Sequence, residues 1–173
     1  LNKLTTKSQE VLNGAHALVL ENQQQAIEPI HVLKSILIHD HTIITFILDK
    51  KNIHFDSFQN VVNSHIDSIA KVSGGQPYLS NSTQEMIQKA FYNAKEFGDE
   101  YISVELILVS LLRTKNRAGE LLKDLGVTEA NLVAAITEMR KGRKITHQQS
   151  DNEYNALKKY AINLNHRAES GKL

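Results

Sequence analysis

With 173 residues the chain is long enough for one core, or for two small half-domains sharing one. It has no cysteine, which excludes thiol chemistry and disulfide scaffolds, and its 20 Lys and Arg against 19 Asp and Glu create no field that favours a nucleic acid or a membrane surface. The longest apolar runs, residues 43–48 and 106–112, fall far short of the roughly 20 residues of a membrane span, and the first residues do not read as a secretory leader, so a cytoplasmic setting is expected.

Two prolines and no tryptophan among many Leu, Ile, Ala, Lys, Glu and Gln predict an all-α fold. Thr6-Lys7-Ser8-Gln9 has capping-box spacing and opens a first helix. Its Val11, Leu12, Ala15, Leu18 and Val19 recur at three-and-four spacing, and it should end near Asn22. Pro29 suits the first turn of a second helix, where a backbone amide is not needed. Val32, Leu33, Ile36 and Leu37 form that helix's inward face. A third helix is predicted over residues 42–51, and Asp56 as the N-cap of a fourth lined by Phe58, Val62, Ile66 and Ile69.

Val72-Ser73-Gly74-Gly75-Gln76-Pro77 has the punctuation of a connection, and the same pattern then starts again. A shift of 75 places Leu4 on Leu79, Thr5 on Ser80, Ala15 on Ala90, Ile27 on Ile102 and Leu33 on Leu108. After a one-residue slip, Leu48 meets Leu122, Phe58 meets Leu132 and Val62 meets Ile136. This predicts a duplicated four-helix motif, eight helices about a pseudo-twofold axis with a groove between the repeats. The expected division is a first repeat over 1–70, a connection over 71–78, a second repeat over 79–142, and a linker and junction over 143–173. Within the last segment, Tyr154, Leu157, Tyr160, Ala161 and Leu164 mark one side of a further helical stretch.

Ile27-Glu28-Pro29-Ile30-His31-Val32-Leu33 and Ile102-Ser103-Val104-Glu105-Leu106-Ile107-Leu108, one per repeat, resemble the paired signature of the Clp N-terminal repeat domain. Leu157-Lys158-Lys159-Tyr160-Ala161-Ile162-Asn163-Leu164, followed by Ala168-Glu169-Ser170-Gly171-Lys172-Leu173, is similar to the junction that leads into the first AAA+ module of ClpB-type disaggregases. The resemblance implies a non-catalytic, monomeric module that binds exposed segments of unfolded or aggregated polypeptides. It would hand them to a hexameric ATP-driven threading ring that works with an Hsp70-type chaperone system. No G-x-x-x-x-G-K-[ST] phosphate loop occurs in the sequence. No cofactor is therefore expected in this chain, and ATP would belong to the AAA+ modules. The alternative is an adaptor-docking domain of a ClpA- or ClpC-type unfoldase that serves a protease.

The resemblance also implies client contacts at Thr5, Asp99, Glu105 and Leu106, with Ile87 and Tyr101 as nearby apolar candidates. Asp99 and Glu105 would accept from the unpaired amides of an unfolded segment, so that removing either should weaken binding while the thermal midpoint hardly moves. Each residue has a structural reading too. Thr5 caps a helix, Asp99 sits in a solvated turn after Gly98, Glu105 complements the dipole of a first turn, and Leu106 and Ile87 belong to the core. Repeat one carries Ile30 where the family has an acid, and repeat two carries Leu106 where it has histidine, so a single acidic groove edge is expected. His31 is read as a satisfied interior histidine. His39-Asp40-His41 resembles metal-ligand spacing, but residues two apart diverge on a helix, so neither a metal site nor a hydrolase is expected. Arg140-Lys141-Gly142-Arg143-Lys144 lacks interleaved aromatics and reads as a solvated linker rather than a nucleic-acid contact.

Overall fold

A computed structural model of the protein describes residues 3–150. The described residues form eight helices: α1 (Thr6–Glu21), α2 (Pro29–His39), α3 (Thr42–Lys50), α4 (Phe55–Asp67), α5 (Asn81–Phe97), α6 (Val104–Arg113), α7 (Arg117–Asp124) and α8 (Glu129–Arg140). Two short strands, β1 (Ala26–Ile27) and β2 (Tyr78–Leu79), complete the fold. Pro29 opens α2 and Asn22 caps the C-terminus of α1, as their chemistry demands. The helical stretch read from Tyr154 to Leu164 and the junction-like tail lie outside the described residues.

Two predicted caps move. The N-cap of α1 is Thr5, as its structural reading has it, and not Thr6 at the head of the expected box, because the extended backbone of Thr5 (ψ 161°) is set by pairing with the second repeat. Its hydroxyl accepts from Ser8 N at 3.1 Å, and Gln9 Nε2 donates to the Leu4 carbonyl at 3.1 Å instead of reaching back to a cap amide. His54 precedes α4, which leaves Asp56 inside the first turn, where its charge favours the helix dipole without capping.

The duplication is written into hydrogen bonds, and each repeat completes the other. Leu4 bridges Ile102, and at the equivalent place Ile27 pairs with Leu79. Thr5 N donates to the Ile102 carbonyl at 3.1 Å, and Ser80 N to the Ile27 carbonyl at 3.1 Å. Ser8 Oγ reaches the same Ile102 carbonyl at 2.8 Å, and Thr83 Oγ1 reaches that of Ile27 at 2.7 Å. Composition gave no hint of these parallel strands. They exist because the extended stretch before each first helix has unbonded amides that only the other repeat can satisfy.

Within each repeat the first two helices pack together, α1 on α2 and α5 on α6. Across the repeats α2 meets α5, α6 and α7, α3 meets α8, and α1 meets α6. The inward faces therefore merge into one apolar cluster that runs from Val11, Leu33 and Ile36 to Leu106, Leu108 and Leu111, all 0% exposed. Each such Leu or Ile contributes about 1.5–3 kcal/mol by leaving water.

Candidate functional site

The turn between α5 and α6 carries the resemblance-implied acids. Gly98 ends α5 in the left-handed region (φ 72°), a conformation that suits a residue without a Cβ, and Asp99 follows with its amide returned to the Ala94 carbonyl at 2.8 Å. Glu105 lies in the first turn of α6. Both side chains point inward, Asp99 with 0% and Glu105 with 5% of the side chain exposed.

Between them sits Arg140, the last residue of α8, whose side chain is 5% exposed. Its Nη1 lies 2.9 Å from Asp99 Oδ2, its Nε donates to Glu105 Oε1 at 3.0 Å, and its Nη2 is 2.9 Å from that same oxygen. Nη2 also lies 3.4 Å from the N-cap hydroxyl Ser103 Oγ. Burial works against the guanidinium charge, but the neighbouring Glu105 and Asp99 carboxylates outweigh it and raise the Arg140 pKa above the ordinary arginine value. The reading of Arg140 as part of a solvated linker is therefore corrected. The signal was in the repeat alignment, which places Arg140 at the register of the core residue Ile66.

The chain beyond α8 turns through Lys141 and Gly142, both at positive φ, and runs back along this turn. Ile145 is 2% exposed, its amide donates to Asp99 Oδ1 at 3.1 Å, and its carbonyl accepts from Glu100 N at 2.7 Å and Tyr101 N at 3.3 Å. Farther along, the Gln148 carbonyl accepts from Thr6 N at 3.0 Å, and Gln149 Nε2 donates to Thr6 Oγ1 at 2.9 Å. Asp99, Arg140 and Ile145 thus bind the end of α8, the α5–α6 turn and the start of α1 into one unit.

The other candidates fall at different depths. Thr5 is 0% exposed and works as the α1 cap, and Leu106 is 0% exposed in the core. Tyr101 and Ile87 are half-buried, with Lys3 Nζ 5.7 Å from the Tyr101 ring. Asp99 Oδ1 accepts from Arg140 Nη1 and Ile145 N, Asp99 Oδ2 lies in the ion pair with Arg140, and Glu105 Oε1 accepts from Arg140, which alters the expectation for removing either acid. Deleting either acid strips a buried cation of a partner, a change that costs several kcal/mol, so the thermal midpoint should fall together with any loss of binding.

Repeat one holds a neutral counterpart. His31, 0% exposed, accepts from Glu28 N through Nδ1 at 2.9 Å, and its Nε2 lies 2.7 Å from Gln24 Oε1. Gln24 Nε2 donates to the carbonyls of Ile66 at 2.7 Å and Ile69 at 3.3 Å. Both ring nitrogens are satisfied, and burial pushes the His31 pKa down to about 4. A separate open cleft of about 820 Å³ lies on the outer side of repeat two. Its rim carries Tyr92, Lys89 and Lys95 around Arg113, which is gripped by Glu96 (2.6 Å) and Glu129 (2.7 Å). Among the described residues no three His, Asp or Glu side chains converge where a metal could sit, and no single helix is long and apolar enough to cross a membrane.

The family model described as Clp repeat (R) N-terminal domain matches residues 3–125. The chain belongs to the Clp repeat N-terminal domain family. It is 46% identical over 99% of its length to the chaperone protein ClpB of Bacteroides thetaiotaomicron, and 43% identical over its whole length to that of Porphyromonas gingivalis. In each case this Clp repeat domain spans 20% of the relative's length. Its fold matches the crystal structure of the Hsp104 N-terminal domain from Candida albicans, with a TM-score of 0.71 and 20% identity over 86% of this chain and 99% of that one. It also matches a ClpV N-domain described in complex with a VipB peptide, with a TM-score of 0.63 and 20% identity over 78% and 85% of the two chains.

Proposed function

We propose that this Clp repeat domain is the client-recognition module of a ClpB-type chaperone, binding exposed extended segments of unfolded or aggregated polypeptide and passing them to an ATP-driven hexameric ring in the cytoplasm. The observation that carries this reading is the 46% identity to a ClpB chaperone over 99% of the chain. The geometry supports it in one respect. The turn at Glu100 and Tyr101, next to the start of α1, already grips a main-chain carbonyl, that of Ile145, through two backbone amides, and such donors recognise any polypeptide regardless of sequence.

In this reading Thr5, Asp99, Glu105 and Leu106 position that edge from within, and Tyr101 and Ile87 are the residues able to touch a client. Catalysis and nucleotide belong to the AAA+ modules, and an Hsp70-type system cooperates with the assembled ring. Binding by one domain is weak, with a dissociation constant of order micromolar, or about 8 kcal/mol. Several tethered copies on a ring then gain avidity without new contacts.

The test is NMR titration of the isotope-labelled chain with a reduced, carboxymethylated protein that cannot fold. Shifts should concentrate at residues 99–102, Ile87 and the first turn of α1. A spectrum that stays unmoved at about 1 mM client, roughly a thousandfold above the expected dissociation constant, rejects the reading.

A further inference from the structure

The stretch from Lys141 to Gln149 contains one aliphatic side chain, Ile145. That side chain is 2% exposed, whereas residues 141–144 and 146–149 are exposed on either side of it. The segment is therefore held like a bound peptide, by a single apolar anchor and by main-chain bonds. Glu100 N and Tyr101 N donate to the Ile145 carbonyl, and Thr6 N donates to the Gln148 carbonyl. Three further ties involve side chains: Ile145 N donates to Asp99 Oδ1 at 3.1 Å, Lys144 Nζ to the Phe97 carbonyl at 2.8 Å, and Gln149 Nε2 to Thr6 Oγ1 at 2.9 Å.

We infer that residues 144–148 are an intramolecular occupant of the edge that takes an extended aliphatic stretch of client, and that client binding displaces them. The inference rests on the client-recognition reading above and adds how the site is regulated. Three features support exchange. The donors contact carbonyl oxygens, which every polypeptide offers, and the anchor needs only an Ile-like side chain. Leaving exposes one buried aliphatic group and gives up the Ile145 amide's bond to Asp99, while the client's carbonyls replace those of Ile145 and Gln148 on the edge amides. Covering is also confined to one repeat: Thr6, at the start of α1, is half-buried under Gln148, whereas its counterpart Asn81, at the start of α5, is exposed. A competing occupant lowers the apparent affinity for a client by the fraction of time the edge is open, which keeps each domain's grip weak and releasable.

Hydrogen–deuterium exchange on the unsubstituted 173-residue chain tests this, with and without the carboxymethylated client. Displacement predicts that the Ile145 amide, now bonded to Asp99, exchanges faster with client present, while the Glu100 and Tyr101 amides stay protected by the client's carbonyls. A client that binds while Ile145 keeps its protection overturns the inference. A second arm uses Ile145→Ser, which should bind client about tenfold more tightly because the competitor is weakened. A synthetic peptide spanning residues 143–150 should block client binding, and its Ile145→Asp version should not. Equal client affinity of the parent and Ile145→Ser chains overturns the occupancy and leaves client recognition standing. Absence of client binding by both chains overturns the recognition reading and the inference with it. Should Ile145→Ser fail to fold, the exchange measurement on the unsubstituted chain decides alone.

Discussion

The two repeats solve the same problem with different chemistry. In each, a residue just past the first helix of the repeat must hold the end of its last helix: Gln24 in repeat one and Asp99 in repeat two, equivalent under the 75-residue shift. Gln24 does so with neutral bonds to the Ile66 and Ile69 carbonyls and a neutral His31 behind it. Asp99 uses an ion pair to Arg140, with Glu105 on the guanidinium's other side. A neutral hub can be weakened gradually, whereas a buried charged hub that loses one member leaves a charge without solvent or partner. Repeat two therefore has the stiffer and more brittle junction, and that junction carries the candidate client edge.

The largest expected effect breaks this contrast directly. Arg140→Met leaves two buried carboxylates facing each other and should cost roughly 3–5 kcal/mol in urea denaturation, with a much smaller loss for the triple change Arg140→Met, Asp99→Asn, Glu105→Gln. A single variant as stable as the parent would remove the charged hub from the account. Next comes the neutral hub. The folded-state pKa of His31, about 4, lies below its unfolded value near 6.5. Between those values the unfolded chain binds a proton that the folded chain does not, so this contribution is complete above pH 6.5 and is lost as pH falls toward 4. The loss across that window is roughly 3 kcal/mol, and His31→Gln should flatten it in denaturation curves taken at pH 7 and pH 4.5. The smallest effects belong to the matched caps. Thr5→Ala and Ser80→Ala should each cost about 1 kcal/mol by thermal melting. Thr5, wholly buried, should sit at the upper end and the slightly exposed Ser80 at the lower. A reversed order would show that the segment over α1 adds nothing to its start.

The helices were legible because they follow local rules. Pro29, the apolar stripes and the Gly-Gly-Gln-Pro connection each act within a few residues, and the duplication follows from comparing the chain with itself. What stayed hidden depends on distance in sequence. Asp99 and Glu105 came as client contacts from the family resemblance, and nothing near them in sequence announces that Arg140, 41 and 35 residues away, comes back to meet them. Ile145 stands alone among polar residues in the sequence, and only the fold supplies the socket that buries it. The shift of the first cap from Thr6 to Thr5 has the same origin, since Thr5 is held extended by Ile102. Arg140 alone was recoverable, as a charged residue at a register where repeat one places Ile66.

The reciprocal bonding of Leu4 with Ile102 and of Leu79 with Ile27 also bears on the order of events during synthesis. A ribosome delivers residue 5 long before residue 102, yet the carbonyl that receives the Thr5 amide and the Ser8 hydroxyl lies 94 residues downstream of that serine. Helix α1 must therefore wait, incompletely anchored, until residue 102 has emerged, and the first repeat is meanwhile an unfinished half of a pair.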